Sequence, residues 1–135
     1  YMAGGLYSTD NLVHYASALF FNKQYAESGK IISEGQAIDP DNFLLKRLAI
    51  YNDYESKVYE KGLEEIKTFI NNPDAKYIWQ DYLYYGRLLN KAKQYDQAAD
   101  ALQKAIKESS SHTEIYKDLA EVYSNSENNA EAIKA

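Results

Sequence analysis

The sequence predicts an all-α fold built from stacked antiparallel helix pairs, and three observations lead there. A short pattern returns at near-constant spacing: Tyr25-Ala-Glu-Ser28, Tyr59-Glu-Lys-Gly62, Tyr95-Asp-Gln-Ala98 and Asn129-Ala-Glu-Ala132 begin 34, 36 and 34 residues apart. Periods of this length mark repeated supersecondary units that bury their faces against one another. Apolar and small residues recur at helical spacing on both sides of each copy, as in Tyr82, Tyr85, Gly86 and Leu89, which share one helix face. Breakers are scarce, with two Pro and six Gly in 135 residues, so long helices are permitted and strands are not favoured.

Taken in order, residues 1–8 read as the end of a preceding helix and its turn, with Gly4 and Gly5 as the stop. Residues 9–42 form the first repeat: Leu12, Tyr15, Ala16 and Leu19 lie on one helix face, Asn22-Lys-Gln turns the chain, and Ile31 and Ile32 follow the Tyr25 copy. Asp39-Pro-Asp-Asn42 closes it, with Asp41 and Asn42 as expected N-caps of the next helix. Residues 43–78 are the second repeat, in which Ile66 and Phe69 continue from Gly62 and Asn71-Asn-Pro73 ends the pair. Residues 79–112 are the third, with Leu102 and Ala105 after Ala98, Ser109-Ser-Ser111 as the turn and Ser111 as a further N-cap. Residues 113–135 hold Tyr116, Leu119, Ala120 and Tyr123 and then the Asn129 copy, so they read as a truncated fourth repeat whose second helix is cut at Ala135. Helix pairs are thus expected near residues 9–38, 43–71, 78–108 and 112–135.

The same residues resemble the tetratricopeptide repeat family, whose 34-residue unit carries an aromatic, Leu, Gly, Tyr, Ala, Phe and Pro pattern. The third repeat matches through Tyr82, Tyr85, Gly86, Leu89, Ala98, Leu102 and Ala105, with Ser110 where Pro is usual. The first keeps Pro40 and places Ala16 at the small mid-helix position; the second departs most, with Lys46, Ala49, Ile50 and Asp53 at the aromatic, Leu, Gly and Tyr positions. The resemblance implies a right-handed α-α superhelix, a solenoid of about three and a half to four units. Gly86, Ala98, Ala16 and Ala120 would then sit where paired helices cross closely.

Composition narrows the function. A net charge of -5 and no cluster of Lys or Arg argue against a nucleic-acid partner. No run is long and apolar enough for direct membrane insertion by this stretch of chain. The absence of Cys removes thiolate chemistry and Cys-ligated metal, and leaves cytoplasmic and periplasmic locations equally open. No phosphate loop, zinc-protease motif, nucleophile elbow or calcium loop is present, so no catalytic residue, cofactor or metal is assigned. His14 and His112 lie in different repeats without acidic partners on the same turn, and His112 reads as a solvated helix-terminal residue.

Tyr is the compositional anomaly, at 14 residues. Tyr15, Tyr82, Tyr85, Tyr116 and Tyr123 are expected on packing faces, and Trp79 is expected to pack across a repeat boundary rather than to hold a ligand. Rotating about 100° per residue from Tyr82 places Gln80, Tyr84, Arg87 and Lys91 opposite the packing face, and Arg47 and Tyr51 take the equivalent direction in the second repeat. The resemblance implies that this face lines the concave groove where family members bind extended peptides or partner helices. Arg47, Tyr51, Tyr84, Arg87 and Lys91 are therefore the candidate partner-binding residues, carrying both arginines of the chain. The same face carries His14, Ser17 and Phe21 in the first repeat and Glu114, Asp118 and Glu121 in the fourth, so its charge changes sign along the array. A partner acidic near the second and third repeats is the electrostatic expectation. Val13 and Ser17 occupy the places where some family members clamp acidic chaperone tails, so that activity does not carry over.

The function this implies is a protein–protein interaction scaffold that binds a peptide or partner segment without catalysis; the alternative is a structural spacer within a larger protein whose active part lies elsewhere. Ends of such an array expose apolar surface and can pair with one another, in a crystal or in solution.

Overall fold

The computed structural model describes residues 8–72 and 75–134, with side chains as far as residue 127. Seven helices follow in order, α1 (Thr9–Phe21), α2 (Tyr25–Ile38), α3 (Phe43–Glu55), α4 (Tyr59–Phe69), α5 (Trp79–Lys91), α6 (Tyr95–Glu108) and α7 (Thr113–Lys134), and the described residues contain no strand. This is an all-α helical-repeat fold. The proposed stop at Gly4 and Gly5 lies outside the described residues.

Second helices open at Tyr25, Tyr59 and Tyr95, each 16 residues after the first residue of the helix before it. Repeat two therefore keeps the register of its neighbours, and its unusual residues are substitutions within one frame. Each of the three turns within a pair, α1 to α2, α3 to α4 and α5 to α6, is made the same way, by a lysine in the left-handed region: Lys23 at φ 62, Lys57 at φ 66 and Lys93 at φ 63. The following N–H reaches back five residues, from Gln24 to Leu19 (2.9 Å), Val58 to Asp53 (2.8 Å) and Gln94 to Leu89 (2.9 Å), which is the Schellman closure that satisfies helix-end carbonyls. Asn42 N-caps α3 by accepting the Leu45 N–H at 3.0 Å, as its position in the sequence implies.

The chain divides into two compact halves, Tyr1–Glu65 and Ile66–Ala135, with the division inside α4. In the first half α1, α2 and α3 close on Val13, Ala16, Ile32, Leu45 and Leu48. Ser28 is fully buried there and donates to the Ala16 carbonyl at 2.8 Å, so its hydroxyl costs little inside the core. Gly35 lets α3 approach, because a Cβ on it would lie 2.7 Å from Leu45 Cδ1.

In the second half α6 packs against both α5 and α7 around Leu83, Leu88, Leu89, Ala98, Leu102, Ala105, Ile115 and Val122. The alanine side of α6 and Gly86 on α5 allow the close crossing. Ahead of α5, Tyr77 ties the chain to the end of α4: its hydroxyl accepts the Asn72 N–H at 2.9 Å and donates to the Phe69 carbonyl, and its ring meets Phe69 edge-on at 5.5 Å. Tyr77→Phe is expected to lower stability by about 1 to 2 kcal/mol, because helix-end groups lose their partner; urea unfolding checks it, and an unchanged midpoint would mean water replaces the hydroxyl.

Two expectations are corrected by this arrangement. The fourth repeat does not form a helix pair, since α7 runs unbroken from Thr113 to Lys134 through the Asn129 copy. The counterpart of Lys93 is Glu127, which stays helical, and no Gly or Pro between residues 113 and 134 interrupts the run. Tyr15, Tyr116 and Tyr123 are not on packed faces but 55%, 45% and 49% exposed, and Ala120 is exposed as well. Tyr116, Ala120 and Tyr123 share the face that a second helix of the fourth repeat would cover. The apolar surface expected at the C-terminal end lies outside the described side chains.

Candidate binding surface on the first helices

Each half presents its own share of the surface predicted from helix direction. On α3 the Arg47 guanidinium lies 4.9 Å from the centre of the Phe43 ring, one turn earlier, within cation–π range. Tyr51, one turn further on, is 8% exposed and its ring stands 6.2 Å from that of Phe20, which also meets Tyr25 (5.5 Å) and Phe21 (5.6 Å). Tyr51 is thus the buried end of an aromatic cluster whose outer member, Phe21, is 79% exposed on α1.

On α5 the arrangement is similar at its start and different at its end. Tyr84 is 8% exposed, and the Arg87 guanidinium lies 5.6 Å from its ring centre. Arg87 Nε donates to Asp118 Oδ2 at 2.6 Å and a terminal nitrogen lies 3.8 Å from Glu114 Oε2, both on α7. One turn further, Asn90 donates to Glu121 at 2.9 Å and accepts from Asn125 at 3.2 Å. Lys91 is exposed. The sequence placed Arg87 and the three acids on one face, but not in contact; the structure closes them into a polar ladder between α5 and α7. Asn90, Glu121 and Asn125 were not singled out together, and the signal available was spacing, since Asp118 and Glu121 each follow their partner by 31 residues. The excess of positive charge expected near the third repeat is offset by these carboxylates.

Trp79 stacks on His112, with ring centres 3.8 Å apart and planes at 17°, so His112 is not merely solvated. Spacing and motifs also did not reveal a carboxyl pair in the first half. Glu65 on α4 is hydrogen-bonded to Asp53 on α3, and burial first, then that bond and the Asp53 charge, push its pKa from 4.5 to about 8 against the opposing pull of Lys61. Its signal was Asp53 itself, an acid where the repeat pattern places an aromatic. Among the described residues no group of three or more His, Asp or Glu could hold a metal ion, and no helix is long and apolar enough to cross a membrane.

Residues 89–135 match the family model of the tetratricopeptide repeat. Solved structures with the same helix arrangement include residues 41 to the end of MamA from Desulfovibrio magneticus RS-1, at 15% identity and TM-score 0.76, covering 94% of this chain and 71% of that one. The chain shares the fold of tetratricopeptide-repeat structures, and its residues 89–135 resemble that repeat in sequence. YrrB, described as a tetratricopeptide-repeat protein with an unusual peptide-binding site, aligns at 14% identity and TM-score 0.72 over 92% of this chain and 63% of its own. The Sgt2 tetratricopeptide-repeat domain from Aspergillus fumigatus aligns at 17% identity and TM-score 0.72 over 91% and 82%. At these identities the likeness to the tetratricopeptide structures speaks for the fold. No curated protein matches the sequence. Tetratricopeptide-repeat proteins are generally interaction modules rather than enzymes.

Proposed function

We propose that this tetratricopeptide-like array is a protein-interaction scaffold that takes a peptide or partner segment on its first helices and catalyses no reaction. One observation carries the reading: α3 and α5 each set an arginine against an aromatic ring, Arg47 on Phe43 and Arg87 on Tyr84. Rigid aromatic and arginine anchors of this kind dominate binding energies at protein interfaces. Arg47 on α3 and Arg87 and Lys91 on α5 are the proposed direct contacts, with Tyr51 and Tyr84, each only 8% exposed, supporting them from the same helices, and the peptide-binding site named for YrrB supports the mode.

The spacer reading has an observation of its own. The ladder from Arg87 and Asn90 to α7 spends that part of the face on holding helices together. The separating experiment is a pulldown from native extract with wild-type, Arg47→Ala and Lys91→Glu baits, with melting curves as the folding control. A scaffold loses its specific partner by about 5- to 150-fold, the equivalent of roughly 1 to 3 kcal/mol, in at least one variant that melts normally. Equal recovery by all three baits moves the role to the spacer.

A further inference from the structure

Asp53 and Glu65 both belong to the first compact half, on α3 and α4, and the division between halves falls directly after Glu65. Each keeps one oxygen, Asp53 Oδ2 and Glu65 Oε1, shut off from solvent without a hydrogen-bond partner. Two ionised carboxylates in that position would each lack a donor and would repel one another across a low-dielectric contact. A carboxylate can only accept, so the hydrogen bond that joins the two side chains requires that one of them carry a proton. The charged groups acting on Glu65 are Asp53 from α3 and, one turn back on its own helix, the exposed Lys61, whose attraction falls short of the combined effect of burial and Asp53. The neighbouring Asn52 amide turns elsewhere, lying 3.1 Å from where a Cβ on Gly29 of α2 would be.

We propose that Asp53 and Glu65 form a proton-held clamp that fastens the first turns of α4 to α3 and loosens when the shared proton leaves. With the proton in place, the Glu65 hydroxyl donates to the Asp53 carboxylate and the pair carries a single negative charge. Without it, two half-buried negative charges face each other and the lone donor is gone.

The pH dependence follows from the two states. Unfolded, Glu65 ionises near its ordinary 4.5, and folded near 8, so the folded chain holds one more proton between those values. Stability contributed by this group is therefore complete below about 4.5, declines as pH rises towards 8, and is flat above. Glutamine at position 65 imitates the protonated acid at every pH.

The test is a carboxyl 13C NMR titration of the wild-type chain, with melting curves from pH 5 to 9 for wild type, Glu65→Gln and Asp53→Asn. The Glu65 carboxyl is expected to titrate near 8, and its midpoint to fall in Asp53→Asn. Between pH 5 and 9 the wild-type melting temperature should drop by roughly 5 °C more than that of Glu65→Gln. A Glu65 titration in the ordinary carboxylate range, or parallel pH dependence in wild type and Glu65→Gln, overturns the clamp. If a variant does not fold, the wild-type titration decides alone.

Discussion

Arg87→Ala is expected to lower stability by about 2 to 3 kcal/mol, on the order of 10 °C in melting temperature. Helix direction alone marks Arg87 as a surface residue whose loss would cost no more than about 0.5 kcal/mol. Its side chain is only 21% exposed, however, and its partner Asp118 only 24%. Removing the guanidinium leaves a mostly buried carboxylate without its donor, and that orphaned charge, rather than the lost attraction, makes up most of the cost. Thermal melts of Arg87→Ala, Asp118→Ala and the double variant test this, because the second substitution removes the orphan. The double variant should be less destabilised than the two single changes summed, by about 1 kcal/mol or more. If Arg87→Ala melts within about 1 °C of wild type, the Arg87 part of the ladder between α5 and α7 contributes nothing. The consequence for binding studies is direct: Arg47 and Lys91 are the informative positions, since a binding loss at Arg87 would be entangled with a folding loss.

Gly86→Ala should also destabilise, by about 1 to 3 kcal/mol, although alanine is the better helix former by about 1 kcal/mol. A methyl group at residue 86 would lie 2.6 Å from Leu102 Cγ and Cδ2 and 3.2 Å from the Ala98 carbonyl oxygen. Leu102 is fully buried, so it cannot step aside without opening α5 from α6. In a Leu102→Ala background the obstacle is absent, and there Gly86→Ala should be neutral or stabilising. Urea midpoints of the four variants check the reversal, and an equal cost in both backgrounds would put its origin elsewhere.

How much of this was legible in the sequence depended on whether the determining contact was local. Tyr25, Tyr59 and Tyr95 open helices in the structure as the repeat implied, and Asn42 caps α3, because turns and caps are decided within a few residues. Gly86 was assigned its crossing correctly, since a glycine among the apolar positions of a helix face marks the point where a second helix can come close. The failures needed knowledge of what lies across a gap. Tyr116 and Tyr123 carry the spacing of a packed stripe, yet spacing names a face without saying whether another helix covers it. Arg87 was placed on the right side of α5, but its closure by Asp118 depends on how near α7 comes. Asp53 marked a conflict with the repeat pattern, while its resolution, a second acid on the next helix, is a tertiary fact.

The stacking of Trp79 on His112 has an optical consequence. Trp79 is the only tryptophan of the chain, so its indole emission comes from a single chromophore, held between the start of α5 and the residue before α7. The imidazole stays in face contact with the indole only while the two helix starts remain docked. A change in that one band on unfolding therefore reports, without any label, the parting of the start of α5 from the start of α7.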